Sequence, residues 1–316
     1  MEFGTNLKMK KVKSQKLLTF FIIFAIIIIE NKTKGEMKMD KTSLGDRMKQ
    51  YEAVPKNFLL RRTPVIIRLD GKAFHTFTRG FDKPFDEAIE LAMETTMVRL
   101  CQNIQGCVLG YTQSDEITLV LCDYQKVDTD AWFEYNVEKM CSVAASMATL
   151  YFFKALYKYV DELWSSNDIS FADRIDLINR KLEMGAFFDA RCFNVPKEEV
   201  VNCLIWRQQD ATRNSIQALA QSLYSQKQLS GLKCSQLQDK MFTEKGVNWN
   251  NLSTYQKRGA CAVKRMMKKK VKLKDGSSTL VDRPQWVIDL NIPVFTQDRD
   301  YVNSLLTFDK EQKNDD

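Results

Sequence analysis

Two stretches of β-forming residues in this chain run straight into acids. Val65-Ile66-Ile67-Arg68-Leu69 ends at Asp70-Gly71. Cys107-Val108-Leu109-Gly110-Tyr111 leads to Gln113-Ser114-Asp115-Glu116, from which Ile117-Thr118-Leu119-Val120-Leu121 departs. β-Branched and aromatic residues favour strands, and polar turn residues end them. An apolar strand that stops at a carboxylate holds that carboxylate at a rigid sheet edge, where a hard cation such as magnesium binds. If the two acidic turns meet in space, they make a two-metal centre suited to phosphoryl or nucleotidyl transfer.

The rest of the pattern decides whether they meet. Residues 43–57 are polar and helical in character, and Pro55 breaks them. A strand over 63–69 follows. Pro84 then opens a helix with Asp86 and Glu87 in its first turn, whose Ile89, Met93, Met97, Leu100 and Ile104 recur at helical spacing up to Gly106. Two strands joined by the Thr112–Glu116 turn read as a hairpin. A long helix is expected from about 130 to 163, with Met140, Val143, Ala144, Met147 and Leu150 as its core stripe. Residues 187–193 read as a fourth strand, after which Asn194 and Pro196 cap a helix. The order β-α-β-β-α-β is the ferredoxin-like, split βαβ arrangement of the α+β class. It sets the first strand beside the central hairpin, so Asp70 and Asp115 become neighbours. The remainder is helical to about 245, followed by a Lys/Arg-rich strand pair around the Asp275-Gly276 turn signal and a last strand over Trp286–Leu290.

Composition narrows the chemistry. His75 is the only histidine among 316 residues, which excludes every multi-histidine metal site and any Ser-His-Asp triad or Cys-His pair built on another histidine. The eight cysteines form no C-x-x-C pair, so they read as buried thiols in a reducing cytoplasm. The net charge of +7 looks like a nucleic-acid signal, but residues 1–38 carry +5 of it and the remaining chain only +2. RNA contact must therefore come from local patches.

Residues 1–38 are set apart as a leader, tag or non-native segment. Leu17–Ile29 is apolar and follows five lysines, but its thirteen residues fall short of the about 20 that a membrane span needs. A membrane anchor and a signal peptide are the other readings, although no small-x-small cleavage site follows. Met1-Glu2-Phe3-Gly4-Thr5 resembles an expression-vector scar, and translation is expected to start naturally at Met37 or Met39. No membrane partner is expected.

At the two turns, Asp70 and Asp115 are the candidate ligands for Mg²⁺, which takes one or two carboxylates plus water and phosphate oxygens. The Gly71 carbonyl adds a backbone ligand, and the Lys72-Ala73-Phe74-His75 backbone wraps a triphosphate with N–H donors. Ser114 adds a hydroxyl contact. Glu116 is either a ligand or a carboxylate behind the ligands. The plain alternative is that each turn is merely a solvated turn. For Tyr255-Gln256-Lys257-Arg258-Gly259 and the lysines from Lys264 to Lys274, the alternatives are a solvated strand face and phosphate or RNA contact. Trp206-Arg207-Gln208-Gln209-Asp210 reads by itself as a helix surface.

Six motifs then occur in order: Arg68-Leu69-Asp70-Gly71-Lys72-Ala73-Phe74-His75, Lys83-Pro84-Phe85-Asp86, Gln113-Ser114-Asp115-Glu116, Phe188-Asp189-Ala190-Arg191, Trp206-Arg207-Gln208-Gln209-Asp210 and Lys257-Arg258-Gly259. In these the chain resembles the tRNA-His guanylyltransferase family and its tRNA-guanylyltransferase-like relatives, the 3′-to-5′ polymerases, over about residues 43–265. The resemblance implies a polymerase-type palm, set at 39–195; the residue pattern adds a helical and basic C-terminal region over 196–308, and the polar tail over 309–316 is expected to be disordered. It implies two Mg²⁺ ions at Asp70, the Gly71 carbonyl and Asp115, with Asp70, Asp115 and Glu116 catalytic. Nucleotide would sit on residues 70–75 and 114–115, and Lys257 and Arg258 would hold phosphates. ATP, or sometimes GTP, would activate a tRNA 5′-monophosphate, the 3′-hydroxyl of GTP would attack it, and pyrophosphate would then be removed. A homotetramer is also implied.

One departure bears on substrate. Eukaryotic members acting on tRNA-His typically carry Cys-His-Ile-Asn-Asn after the Arg-Gln-x-Asp segment, where this chain reads Ala211-Thr212-Arg213-Asn214-Ser215. The missing histidine and second asparagine favour the branch that repairs truncated tRNA 5′ ends. Strict tRNA-His guanylylation, a non-catalytic RNA-binding protein and a nucleotide cyclase are the alternatives. The acids argue against the second, and the motifs beyond the palm against the third.

Overall fold

The computed structural model describes residues 43–126, 128–166, 168–272 and 278–306. The leader, the Asp275-Gly276 turn and the tail from 309 lie outside them. The chain divides into two units, Met1–Pro55 and Lys56–Asp316. In the first, helix α1 (Leu44–Ala53) starts at Ser43, whose hydroxyl accepts from the Asp46 N–H at 3.2 Å. This is an ordinary N-cap, satisfying one of the free donors of the first turn.

The second unit is a mixed helix-and-strand structure on a six-stranded antiparallel sheet. Strand β1 (Val65–Gly71) is followed by a short helix α2 (Phe74–Phe77) and a longer one, α3 (Glu87–Asn103). Strands β2 (Cys107–Gln113) and β3 (Glu116–Leu121) form the expected hairpin. Helices α4 (Val137–Ser165) and α5 (Ala172–Met184) lead to β4 (Phe188–Asn194). Helices α6 (Val200–Leu223), α7 (Gln226–Leu229), α8 (Cys234–Lys245) and α9 (Thr254–Arg258) come next. Strands β5 (Ala260–Lys272) and β6 (Ser278–Asp289) precede a last short helix, α10 (Asp300–Asn303). The sheet order is β4-β1-β3-β2-β5-β6.

Side chains alternate across a strand, and here both faces are covered. Val65, Ile67 and Leu69 of β1 face the larger core with Met93, Met97 and Leu100 of α3 and Met140, Ala144 and Phe152 of α4. Ile66 faces the opposite core with Val200, Val201 and Leu204 of α6 and Phe295. Burial on both sides explains why β1 reads as a continuous apolar run. By length and composition α4 resembles a membrane span, but its Met140, Ala144, Ala148 and Phe152 stripe is buried in the core. The far half of α6 joins α7 and α8 in a third cluster around Ile216, Leu219, Tyr224 and Met241. All eight cysteines are free thiols.

Several boundaries differ from expectation for identifiable reasons. Helix α3 begins at Glu87, not Pro84, because the Asp86 carboxylate caps it, accepting from the Ala88 N–H at 2.9 Å. Helix α4 begins at Val137, not near 130, because Asn136 caps it and accepts from the Lys139 N–H at 2.9 Å. Before it, Phe133, Glu134 and Tyr135 hold left-handed backbone. Asn194 caps no helix. Its side chain accepts from the Leu60 N–H at 2.8 Å and donates to the Leu60 carbonyl at 3.1 Å, fastening the entry of β1 to the end of β4. Trp286 belongs to β6, which pairs continuously with β5 from Cys261↔Asp289 to Lys272↔Ser278. Helix α5 was not expected at all.

Candidate active site

The two acidic turns meet. Antiparallel pairing of β1 with β3 sets Asp70 opposite Glu116, and the Gly71 N–H donates to the Asp115 carbonyl at 3.0 Å. Between β2 and β3 the turn is only Ser114-Asp115, with Ser114 at φ 50°. Such backbone is costly for a residue other than glycine, and strain of this kind collects at functional sites. The Ser114 hydroxyl donates to Asp115 Oδ1 at 3.1 Å. Burial, and then the charge of Asp70, push the Asp115 carboxyl above its ordinary range.

Glu116 lives in different surroundings. It is buried on β3, and Arg207 of α6 grips both of its oxygens, Nε–Oε1 at 2.7 Å and Nη2–Oε2 at 2.6 Å. Arg207 also donates to Asp210 at 2.8 Å, and Arg213 closes on the same carboxylate. Of the two roles open to Glu116, this geometry suits a carboxylate behind the ligands. The segment around Arg207 is no mere helix surface. Gln208 is buried, donating to the Pro293 carbonyl at 2.9 Å and accepting from the Phe295 N–H at 2.9 Å.

Asp70 and Asp115 line a cavity of about 570 Å³. Of the residues expected to hold nucleotide, Asp70, Gly71, Ala73, Phe74, His75, Ser114 and Asp115 line it, and Lys72 does not. Lys72 is exposed and its N–H is spent on the Phe187 carbonyl at 2.8 Å. The first N–H groups of a helix lack partners inside it, which suits the start of α2 at Phe74 and His75 to anionic oxygens. Gly71 is obligatory, since a Cβ there would lie 2.3 Å from the Phe74 ring. Gly259, at φ +85°, would place a Cβ 2.3 Å from the Thr112 carbonyl.

Lys257 and Arg258 do not line the cavity, although Tyr255, Gln256 and Gly259 around them do. The Lys257 ammonium donates to the Asn250 carbonyl at 2.7 Å, and the Arg258 carbonyl accepts from the Tyr111 hydroxyl at 2.7 Å. Beyond Ala262, β5 pairs among the described residues only with β6. Its Lys264, Arg265, Lys268, Lys269 and Lys270 are exposed.

Sequence reasoning missed much of the far wall. Ala211, Asn214, Ser215, Ala218 and Gln221 line it from α6, and their recurrence at three- and four-residue steps was the available signal. It also missed Arg174 of α5, which grips the Asp86 carboxylate at 2.8 and 3.0 Å and so fixes the cavity loop 82–86.

Among the described residues no group of three or more His, Cys, Asp or Glu could hold a metal ion. A pair of carboxylates still suits Mg²⁺, which keeps most of its shell as water and phosphate oxygens. No described lysine or arginine forms an ion pair with Asp70 or Asp115, so their charge is left for a cation. The residues fit.

Comparison with known proteins identifies relatives of the chain. The model of the family described as tRNAHis guanylyltransferase (Thg1) matches residues 45–196. The tRNA(His) guanylyltransferase of Eremothecium gossypii is 30% identical over 227 residues, 67% of this chain and 86% of that protein. Two solved structures of a bacterial tRNA(His) guanylyltransferase (Thg1)-like protein also resemble it. The complex with ATP is 39% identical, with a TM-score of 0.69, over 84% of this chain and 99% of that one. The complex with GTP is 37% identical, with a TM-score of 0.66, over 84% and 100%. The chain belongs to the tRNA-His guanylyltransferase family, a family of nucleotidyltransferases.

Proposed function

We propose that this enzyme adds GTP-derived nucleotides to tRNA 5′ ends in the 3′-to-5′ direction, with Mg²⁺, and favours repair of truncated ends over strict addition of one guanylate to tRNA-His. The observation that carries this reading is the meeting of Asp70 and Asp115 in one cavity, free of basic partners among the described residues. The complexes of the bacterial relative with ATP and with GTP support nucleotide as occupant. On this reading β1 to β4, ordered β4-β1-β3-β2, form a ferredoxin-like, polymerase-type palm.

The residues divide the work by position. Asp70, the Gly71 carbonyl and Asp115 would hold two Mg²⁺ ions, which when bound neutralise phosphate charge and favour ionisation of an attacking hydroxyl. Ala73, Phe74, His75 and Ser114 orient the triphosphate of GTP or ATP. Glu116, locked by Arg207, holds the hairpin so that Asp115 keeps its place. Orientation of the reacting groups supplies a large part of the rate in such sites. The exposed lysines of β5 are the surface offered to tRNA phosphates. A homotetramer in the cytoplasm completes the proposal.

The test is to incubate the enzyme with a 5′-truncated tRNA or intact tRNA-His, together with GTP, ATP and Mg²⁺, and to size the products. Extension of the truncated tRNA is expected to dominate. Exclusive addition of one nucleotide to tRNA-His would overturn the repair reading, and no extension of either would overturn the activity.

A further inference from the structure

Thiols are the chemistry that the cavity leaves unused. Cys141 of α4 and Cys192 of β4 lie 51 residues apart in sequence, yet the Cys141 thiol donates to Cys192 Sγ at 3.5 Å. Neither lines the cavity, and both are only partly buried. Cys192 stands opposite Ile67 of β1, on the face covered by α4, and its thiol also donates to the Val137 carbonyl at 3.9 Å. Cys101 and Cys107 also interact, but they are only 2% and 3% exposed, out of reach of a reagent in solution. Strand β4 ends the sheet order, so among the described residues its outer edge has no strand partner. It is held by β1 and by packing on α4, where Phe152 and Phe188 meet with ring centroids 5.6 Å apart.

We propose that Cys141 and Cys192 form a reversible disulfide that braces the edge strand β4 to α4 when the surroundings turn oxidising. The oxidant is a small-molecule disulfide such as oxidised glutathione. The thiolate of one cysteine attacks it, forming a mixed disulfide and expelling one small thiolate. The thiolate of the other cysteine then attacks the protein sulfur of that mixed disulfide, forming the Cys141–Cys192 bond and expelling the second small thiolate. Two protein thiols are oxidised, one external disulfide is reduced, and the two protons end on the two small thiols. The sulfurs must close from 3.5 Å to about 2.05 Å, which is within reach of side-chain rotation. In a reducing compartment the pair rests as two thiols. Burial, and then Cys141, push the Cys192 thiol up to about 12, so exchange at neutral pH is slow. The bond closes a loop that holds all of α5, whose Arg174 fixes the cavity loop 82–86. Restricting that loop in the unfolded chain stabilises the folded one.

The experiment is overnight incubation of the full chain with excess oxidised glutathione, followed by non-reducing peptide mass mapping and thermal melting, with Cys141→Ser and Cys192→Ser alongside. The wild type is expected to yield a linked Cys141–Cys192 peptide and to melt about 5 °C or more above its reduced form. Dithiothreitol should return the melt to the reduced value. Each serine variant should gain no stability on oxidation and carry a glutathione adduct at its remaining partner. The wild-type arm decides the matter even where a variant fails to fold. Absence of a Cys141–Cys192 peptide overturns the proposal, whether the thiols stay free, keep glutathione or link elsewhere. A linked peptide with an unchanged melting temperature overturns the brace.

Discussion

Asp115 and Glu116 are adjacent in sequence yet meet opposite surroundings. Asp115 faces the cavity beside Asp70, and burial and that like charge raise its pKa. Glu116 is buried against a matched guanidinium. The acids themselves were legible, because polar residues at strand ends stand out locally. Arg207 as the partner was not, because it lies 91 residues away with no local pattern joining the two. Glu94 offers a test at this scale. Burial, and then the charge of Glu90, push its carboxyl up to about 7 from 4.5. A carboxyl raised in this way binds its proton more tightly in the folded chain than in the unfolded one. Its contribution to stability is therefore complete below about 4.5 and lost as pH rises through about 7. Glu94→Gln should match the wild type near pH 4.5 and exceed it above pH 7, read from urea midpoints across that range. A variant with the same pH slope as the wild type would contradict the assignment.

Among the elements, strands were the most readable. The apolar runs of β1, β2 and β3 are dictated by burial on both faces, and the two-residue turn sets the register of β2 on β3 from Gln113↔Glu116 to Leu109↔Val120. Helix starts were read less well, because Asp86 and Asn136 cap helices after residues that already look helical. Helix α5 was missed although its Ile175 and Ile178 are buried and its Arg174 fixes a cavity loop. The joint between α6 and β3 rests on Arg207. Removing one partner of a buried ion pair leaves an uncompensated charge, at a cost of about 3–5 kcal/mol. Arg207→Ala should lower stability by about that amount in chemical denaturation, and adding Glu116→Gln should recover part of it. A loss below about 1 kcal/mol would show the pair to be solvated.

Across the second unit, one sheet carries cores on both faces and the candidate site at the end of its central strands. The order of strands explains why acids 45 residues apart in sequence share a cavity. The antiparallel hairpin and its neighbour strand were legible because β1, β2 and β3 read as apolar runs bounded by polar turns, whereas α5 was not read at all. The far wall was not, because the three- and four-residue steps from Ala211 to Gln221 show which residues of α6 share a face but not what that face meets. Net charge carried little information, since most of it lies in residues 1–38. The central claim is that Asp70 and Asp115 together run nucleotide addition. Its most direct measurement is extension of a 5′-truncated tRNA by Asp70→Ala and by Asp115→Ala, with thermal melts alongside. Each variant is expected to lose addition while melting as a folded protein, and full activity in either would contradict the account.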